Sequence, residues 1–200
     1  MMTETARARA MEATRGRIVD VARELLGRQP EASMGDIAAA AGVVRRTVYG
    51  YFPARDDLVR TLAAAAVDEM TAVLEKVERP GLPADEVWAR FVVELWPLAH
   101  RYRVLLALRR GAHGEEIHVV LRSVDVKLAN LVRRGQSDGV FGVHLPPAAL
   151  ARLSSAAVFA IADDQRSDTA LDARAAVVTS LLTLGVASGR AQELGRQLVS

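Results

Sequence analysis

The stretch between Ser33 and Leu58 constrains the fold more than any other part of the chain. Its sequence, SMGDIAAAAGVVRRTVYGYFPARDDL, contains two short helical patterns that are joined at Gly42 and followed by Pro53. Ser33 is a favourable N-cap residue, and Asp36 stands three residues later, as in a partial capping box. Two helices joined by a turn of about three to four residues form the unit that places its second helix in the DNA major groove. The pattern therefore predicts a helix-turn-helix.

The remainder of the chain also carries helical patterns. Alanine and leucine are abundant, alternating β-branched runs are missing, and prolines fall between the periodic segments. We therefore expect an all-α fold of about nine helices. The helix-turn-helix is expected within a three-helix head over residues 1–60, with a flexible arm at 1–13, and the remaining helices are expected to form a larger helical-bundle body over 61–200. The predicted helices cover about 14–27, 33–41, 44–50, 55–77, 84–101, 104–110, 115–135, 148–162 and 171–188.

Composition removes several classes of protein. The chain has 200 residues and no cysteine, which excludes disulfides, thiolate metal sites and cysteine nucleophiles. Its longest apolar stretch, 175–187, is too short to span a bilayer, and its charged N-terminus is unlike a secretory signal. We expect a soluble cytoplasmic protein with no membrane partner.

Charge is informative only locally. The formal net charge of +2 says little about nucleic acid, but the segment from Val43 to Arg55 contains Arg45, Arg46 and Arg55 and no acidic residue. This basic segment includes the second helix of the predicted helix-turn-helix.

Motifs for catalysis have the wrong spacing. Ser188 stands directly before Gly189, whereas a nucleophile elbow requires Gly-x-Ser-x-Gly. His113 and His118 miss the interval of the H-E-x-x-H zinc motif. We therefore expect no enzyme activity, no cofactor and no metal site.

Residues 14–62 resemble the TetR family of bacterial transcription regulators. The features that carry the resemblance are the Ile18, Ala22, Leu25 pattern of the first helix, Asp36-Ile37-Ala38, Ala41-Gly42-Val43, Thr47-Val48-Tyr49, Tyr51-Phe52 and Leu58. The resemblance implies a DNA-binding head and a helical body that dimerises through its last two helices and binds an effector. It also implies a regulator, expected to be a repressor, whose partners are a palindromic double-stranded operator, a second copy of the chain and a small molecule of unidentified chemistry.

Two residues depart from the family pattern. Val44 stands where the family has Ser or Thr, at the start of the recognition helix, and a side-chain cap there is worth about 1 kcal/mol. Arg55 replaces the usual lysine at the head of the fourth helix and keeps its charge.

The predicted DNA contacts lie in and around the second helix of the motif. Its N-terminal residues face base edges in such a motif, and an arginine can grip guanine through two hydrogen bonds. Phosphate contact is the alternative for the arginines, and packing between helices is the alternative for the tyrosines. Ser33 is expected to cap its helix and offer its backbone amide to a phosphate. The full set is Ser33, Arg45, Arg46, Thr47, Tyr49, Tyr51 and Arg55.

Two narrow apolar faces near the C-terminus suggest a homodimeric four-helix seam, and intramolecular core is the competing explanation. The residues on these faces are Leu150, Leu153, Ala157, Ala160, Leu171, Ala175, Val178, Leu182, Gly185 and Val186. A two-fold dimer would place its recognition helices about 34–36 Å apart, one turn of DNA.

Large side chains in the body are candidates for a ligand pocket, although aromatic residues at helical spacing are commonly plain core. This candidate set is Met70, Trp88, Phe91, Trp96, His100 and Tyr102. A second functional hypothesis is a helical dimeric adaptor without specific DNA binding, and only Val44 favours it.

Overall fold

A computed structural model describes residues 4–102, 114–163 and 171–199, and over these ranges the fold is all-α. The nine helices of the described ranges are α1 (Glu4–Arg28), α2 (Met34–Ala40), α3 (Arg45–Tyr51), α4 (Arg55–Val77), α5 (Ala84–Arg101), α6 (Gly114–Ser137), α7 (Pro147–Ala162), α8 (Ala173–Thr183) and α9 (Ser188–Leu198). The predicted fold class is confirmed. The predicted helix at 104–110 lies outside the described residues. No described helix is long and apolar enough to cross a membrane.

The described residues fall into two compact units. The first contains 4–65 and 114–120, and the second contains 66–102, 121–163 and 171–199. The division falls inside α4, between Ala65 and Ala66, whereas the sequence suggested a boundary at residue 60.

The first unit has a small core made by one face of each of its first four helices. Amphipathic stripes in α1, α2 and α4 supply most of it, and Val48 is the buried side chain of α3. These fully or almost fully buried side chains are Ile18, Ala22, Leu26, Ile37, Val48, Phe52, Leu58 and Leu62. Because α3 buries only Val48, most of its surface remains available.

The second unit is organised around α5, which packs against α7, α8 and α9. Trp88 lies at its centre with no exposed surface, and its Nε1 donates a hydrogen bond of 3.1 Å to the Ser180 hydroxyl in α8. The Phe91 ring meets the Trp88 ring edge-on, with 6.2 Å between centroids. Pairing the indole N–H removes the penalty of burying it, so this tryptophan serves as core.

The segment after α6 closes onto the end of α8. The Gln136 amide nitrogen donates to the backbone oxygens of Gly142 and Leu145, at 2.9 and 3.0 Å. The Gly142 amide donates to the Leu184 oxygen at 2.8 Å, which brings the backbones of Gly142 and Gly185 together. A Cβ atom at Gly185, whose φ is +84°, would lie 3.0 Å from Gly142 Cα and N. Glycine at this position therefore serves a turn within one chain.

The two ends of the described chain differ from the prediction. Residues 4–13, expected as a flexible arm, continue α1 as a helix, and the side chains at 7–13 are exposed. The last predicted helix, 171–188, is shorter and is followed by the unpredicted α9. Gly195 allows α9 to pack closely on α8, since a Cβ there would lie 2.9 Å from Val178 Cγ2. Arg190 of α9 also pairs with the buried Asp85 at the start of α5, with 2.8 Å between Nε and Oδ2.

Candidate nucleic-acid interface

A complete capping box starts α2. The Ser33 hydroxyl accepts a hydrogen bond of 3.2 Å from the Asp36 amide, and the Asp36 carboxylate accepts from the Ser33 amide at 2.8 Å and from its hydroxyl at 2.7 Å. The pKa of Asp36 is lowered below its ordinary value of 3.8, mainly by the hydrogen bond from the Ser33 hydroxyl and to a smaller extent by the bond from the Ser33 amide. The predicted cap is present. The predicted donation of the Ser33 amide to a phosphate is corrected, because that amide is already bonded to Asp36.

A glycine-dependent turn leads from α2 into α3. Gly42 adopts φ +66°, its amide donates to the Ala39 oxygen, and the Val43 amide donates to the Ala38 oxygen. These two bonds form a Schellman motif, which satisfies carbonyl groups at the end of α2. The turn fixes the direction in which α3 leaves.

The first turn of α3 has no side-chain cap. Val44 occupies the N-cap position with extended backbone, φ −75° and ψ 148°, and 69% of its surface is exposed. The backbone geometry suits a capping residue, but valine has no acceptor for an amide of the first turn.

The exposed face of α3 carries the predicted arginines. Arg45 and Arg46 are both exposed, Thr47 and Tyr51 are half-buried, and Tyr49 has 38% of its surface exposed. No hydrogen bond or ion pair joins Arg46 to another residue within the described ranges. A free guanidinium on an exposed helix near its N-terminus is available to either a base edge or a phosphate.

Arg45 differs from Arg46 because it is held by Tyr49. Its Nη2 donates to the Tyr49 hydroxyl at 3.2 Å, and its guanidinium carbon lies 5.4 Å from the centroid of the Tyr49 ring. The hydrogen bond to Tyr49 raises the pKa of Arg45. The two residues are one turn apart on α3 and act as a coupled pair.

Arg55 has a structural role that the sequence did not predict. Its guanidinium donates to the backbone oxygens of Pro30 and Ala32 in the link between α1 and α2. Two of the five N–H donors of this guanidinium are therefore engaged within the chain, and a phosphate contact by the remaining donors stays a prediction. The residue stabilises the packing of the first unit.

The candidate ligand residues do not form one exposed cluster. Met70, Trp88 and Phe91 are buried side chains of the second unit, which is the core alternative that the sequence left open. The buried Tyr102 donates its hydroxyl hydrogen to Glu69 Oε1 at 2.6 Å, and Trp96 is half-buried. The side chain of His100 lies outside the described part of the structure.

The candidate dimer residues divide between surface and core. Leu153, Leu171 and Leu182 are 52, 38 and 45% exposed, and Ala160 is exposed as well. Ala157, Ala175 and Val178 are half-buried. Leu150 and Val186 are instead buried within the chain, and Gly185 serves the turn against Gly142, so these three are corrected. The exposed leucines leave an apolar face on α7 and α8.

Comparison with known proteins agrees with this geometry. The family model for bacterial regulatory proteins of the tetR family matches residues 18–62, the part of the chain that contains α2, the turn and α3. The HTH-type transcriptional repressor LfrR of Mycolicibacterium smegmatis is 45% identical over 83 residues, which is 42% of this chain and 44% of the relative. The match to this curated relative therefore spans less than half of its length.

Solved structures extend the likeness to the whole fold. The LfrR structure from Mycobacterium smegmatis in complex with proflavine has a TM-score of 0.70 and 27% identity, and covers 88% of this chain and 96% of its own. The structure of RolR with resorcinol has a TM-score of 0.63 and 21% identity, and covers 94% and 95%. Fold and site together define an all-helical helix-turn-helix protein. Residues 18–62 match the tetR family of bacterial regulatory proteins, and the described fold is similar to that of the TetR-like regulator LfrR.

Proposed function

We propose that the chain is a transcriptional regulator of the bacterial cytoplasm, most simply a repressor, that binds a palindromic operator as a homodimer and responds to a small molecule. The observation that carries the proposal is the exposed face of α3, where Arg45 and Arg46 meet no carboxylate within the described ranges. The repressor assignment is supported by the similarity to LfrR, which is an HTH-type transcriptional repressor. No catalytic step is part of the proposal.

The proposed readout assigns different roles to the two arginines. Arg46 is unengaged and exposed, so it is available for a bidentate contact with guanine, worth about 1–3 kcal/mol of discrimination. The Arg45 side chain is oriented by its hydrogen bond to Tyr49, and this pair is suited to contact DNA beside the base that Arg46 reads. Thr47 and Tyr51 are assigned to the same DNA-contacting surface. These contacts specify sequence, whereas contacts to phosphates fix register.

The proposed dimer uses the apolar face of α7 and α8. Leu153 and Leu182 are about half-exposed leucines, and an exposed apolar patch on a helix pair is typical of an interface. Duplication of α3 by a two-fold axis would match two half-sites about one DNA turn apart.

The proposed effector response depends on α4. This single helix contributes residues to both compact units, so a ligand that favours one arrangement of the second unit can act on the first. The proflavine complex of LfrR supports a small-molecule effector as a class. To change DNA occupancy strongly, the ligand must bind one state more tightly than the other by several kcal/mol.

An electrophoretic shift with DNA from upstream of the chain's own gene tests the DNA-binding proposal. We expect a shift at low salt that persists against random competitor DNA, and sedimentation of a dimer at micromolar concentration. A folded dimer that gives no shift at low salt would favour the adaptor hypothesis, and a compact monomer would contradict the proposed dimer.

A further inference from the structure

A cleft with an apolar floor and a charged rim lies within the second unit, between α4, α5 and α6. Its volume is about 350 Å³, which is within the range of small-molecule sites. The floor consists of Leu74, Val87 and Leu131, which are all nearly or fully buried. An apolar ligand fragment of modest size would therefore be desolvated there.

The rim of the cleft is made by ion pairs that join the last turn of α4 and the residue after it to α6. Glu75 Oε1 lies 2.8 Å from Lys127 Nζ, and Glu78 Oε1 lies 3.1 Å from Arg134 Nη1. Asn130 lies on the same rim, one turn before Arg134. Any ligand that enters the cleft meets the polar connections between these two helices.

Arg134 has an unsatisfied edge. Its Nε and Nη2 are shielded from solvent and have no hydrogen-bond partner within the described ranges, although its Nη1 is bonded to Glu78. Nε and Nη2 lie on one side of the guanidinium and donate in parallel, which is the geometry that a carboxylate accepts in bidentate fashion. Buried donors without partners are costly, so this edge favours an added acceptor.

The unsatisfied groups select an anion over a cation. The side chains of Glu75 and Glu78 are 65 and 55% exposed, so water hydrates their carboxylates. Among the described residues that line the cleft, the buried groups without a hydrogen-bond partner all belong to Arg134. A ligand cation would meet carboxylates that are already hydrated, whereas a ligand carboxylate would accept hydrogen bonds from the unpaired Nε and Nη2 of Arg134.

We propose that this cleft binds a small carboxylate with an apolar body, through the Nε and Nη2 edge of Arg134, with Lys127 and Asn130 beside the anion. Because that edge is shielded, the Arg134 side chain must turn to present it to the ligand, and this movement takes its Nη1 away from Glu78. The ligand carboxylate in this way competes with Glu78 for Arg134. Binding therefore loosens α4 from α6. The inference rests on the proposed function only in treating this ligand as the effector.

Calorimetric titration of the full-length chain without DNA tests the site. Benzoate and hexanoate are the probes, benzamide is the uncharged control and benzylamine is the cationic control. We expect both carboxylates to bind, benzamide to bind at least tenfold more weakly, and Arg134→Gln to weaken benzoate at least tenfold. Arg122→Gln, an exposed arginine on the same helix, is the matched control and should leave the dissociation constant unchanged.

Glu78→Gln distinguishes a ligand-binding role of Arg134 from a purely structural one, because a structural role predicts no gain in benzoate affinity. It removes the competing carboxylate, so it should tighten benzoate binding several-fold. If Arg134→Gln does not fold, Arg134→Lys, which keeps the charge and loses the fork, should still weaken binding.

Three results would overturn the site: absence of carboxylate binding at millimolar concentration, equal binding of benzoate and benzamide, or tighter binding of benzylamine. Because these titrations contain no DNA, their failure is distinct from a failure of the DNA shift. Benzoate binding that leaves operator affinity unchanged would confirm the site and contradict its role as the effector site.

Discussion

The Arg45 guanidinium lies over the ring of Tyr49 on α3, 5.4 Å from its centroid, and donates to its hydroxyl oxygen at 3.2 Å. Its neighbour Arg46 has no such partner within the described ranges. These two consecutive arginines are both exposed, but in the free protein one is already in contact with a side chain and the other is not. Arg45 must keep or exchange an existing contact, whereas Arg46 loses only water and side-chain freedom.

Arg46→Ala should reduce discrimination between operator and random DNA by about 1–3 kcal/mol, because it removes a bidentate base contact. Competition binding at fixed salt measures the ratio of the two affinities, and Arg122→Ala is the control. An equal loss on both DNAs, with a salt slope reduced by about one, would instead assign Arg46 to a phosphate.

Tyr49→Phe should change the contribution of Arg45, since it removes the hydroxyl acceptor and keeps the ring. The effects of Tyr49→Phe and Arg45→Ala on operator affinity should be non-additive, because the two side chains are in contact. A double-mutant cycle measures the coupling energy. Strict additivity would show that the contact in the free protein has no role in DNA binding.

Val44→Ser should stabilise the first unit by about 1 kcal/mol, because the residue already has N-cap backbone geometry and lacks only the acceptor oxygen. Urea unfolding of the two proteins measures the difference. Val44→Ala is the control, since it shortens the side chain and adds no cap. Equal stability of the serine and alanine variants would contradict the capping argument.

The capping box should make stability depend on pH in the acid range. The pKa of Asp36 is lowered in the folded state by the Ser33 hydroxyl and amide, so its contribution is fully present above the ordinary pKa of 3.8 and is lost as the pH falls through the lower, folded value. Compared with Asp36→Asn, the unsubstituted chain should keep its advantage at pH 7 and lose it below about pH 4.

Urea midpoints between pH 7 and pH 3 measure this effect. Asp68→Asn is the control, because Asp68 is an exposed carboxylate on α4 with no hydrogen bond within the described ranges. If the two variants showed the same pH profile, the capping box would have no measurable linkage to protons.

Arg55→Gln should lower the free energy of unfolding by about 2 kcal/mol, since hydrogen bonds from a charged group to the carbonyls of Pro30 and Ala32 are lost. Arg55→Lys should be intermediate, because an ammonium group cannot span two carbonyls in the same way. Arg28→Gln, which breaks an exposed pair with Glu24, should cost less than about 1 kcal/mol. A loss confined to DNA affinity would contradict the structural role and favour the phosphate contact.

Local signals in the sequence were sufficient for the helices with strong boundaries. The predicted limits of α4 and α5, Arg55–Val77 and Ala84–Arg101, are those of the structure. These ends are marked by acidic residues in the first turn of each helix and by Pro80 and Pro83 between the helices. Such signals act locally and do not depend on how the helices pack. The turn at Gly42 was also predictable from a local signal, because glycine is the usual residue where a helix ends in a positive φ.

Features that depend on distant residues were not predictable. α9 was missed because Gly189 and Gly195 weaken its helical pattern, although Gly195 is the residue that lets it pack on α8. The basic composition around Arg55 suggested DNA, and only the fold brings the oxygens of Pro30 and Ala32 to its guanidinium.

The apolar faces of the last helices were ambiguous for a physical reason. Leu150 and Leu153 have the same chemistry and nearly adjacent positions, but the first is fully buried and the second is 52% exposed. Helical periodicity identifies an apolar stripe without stating what covers each part of it.

The backbone approach of Gly142 to Gly185 has a practical consequence for anyone who diversifies this chain in the laboratory. A methyl group at Gly185 would come within 3.0 Å of main-chain atoms that no rotamer change can move, and it would also sit at a φ that L-residues avoid. Randomised libraries that include codon 185 will therefore contain many misfolded clones, whereas libraries that spare it keep this turn intact.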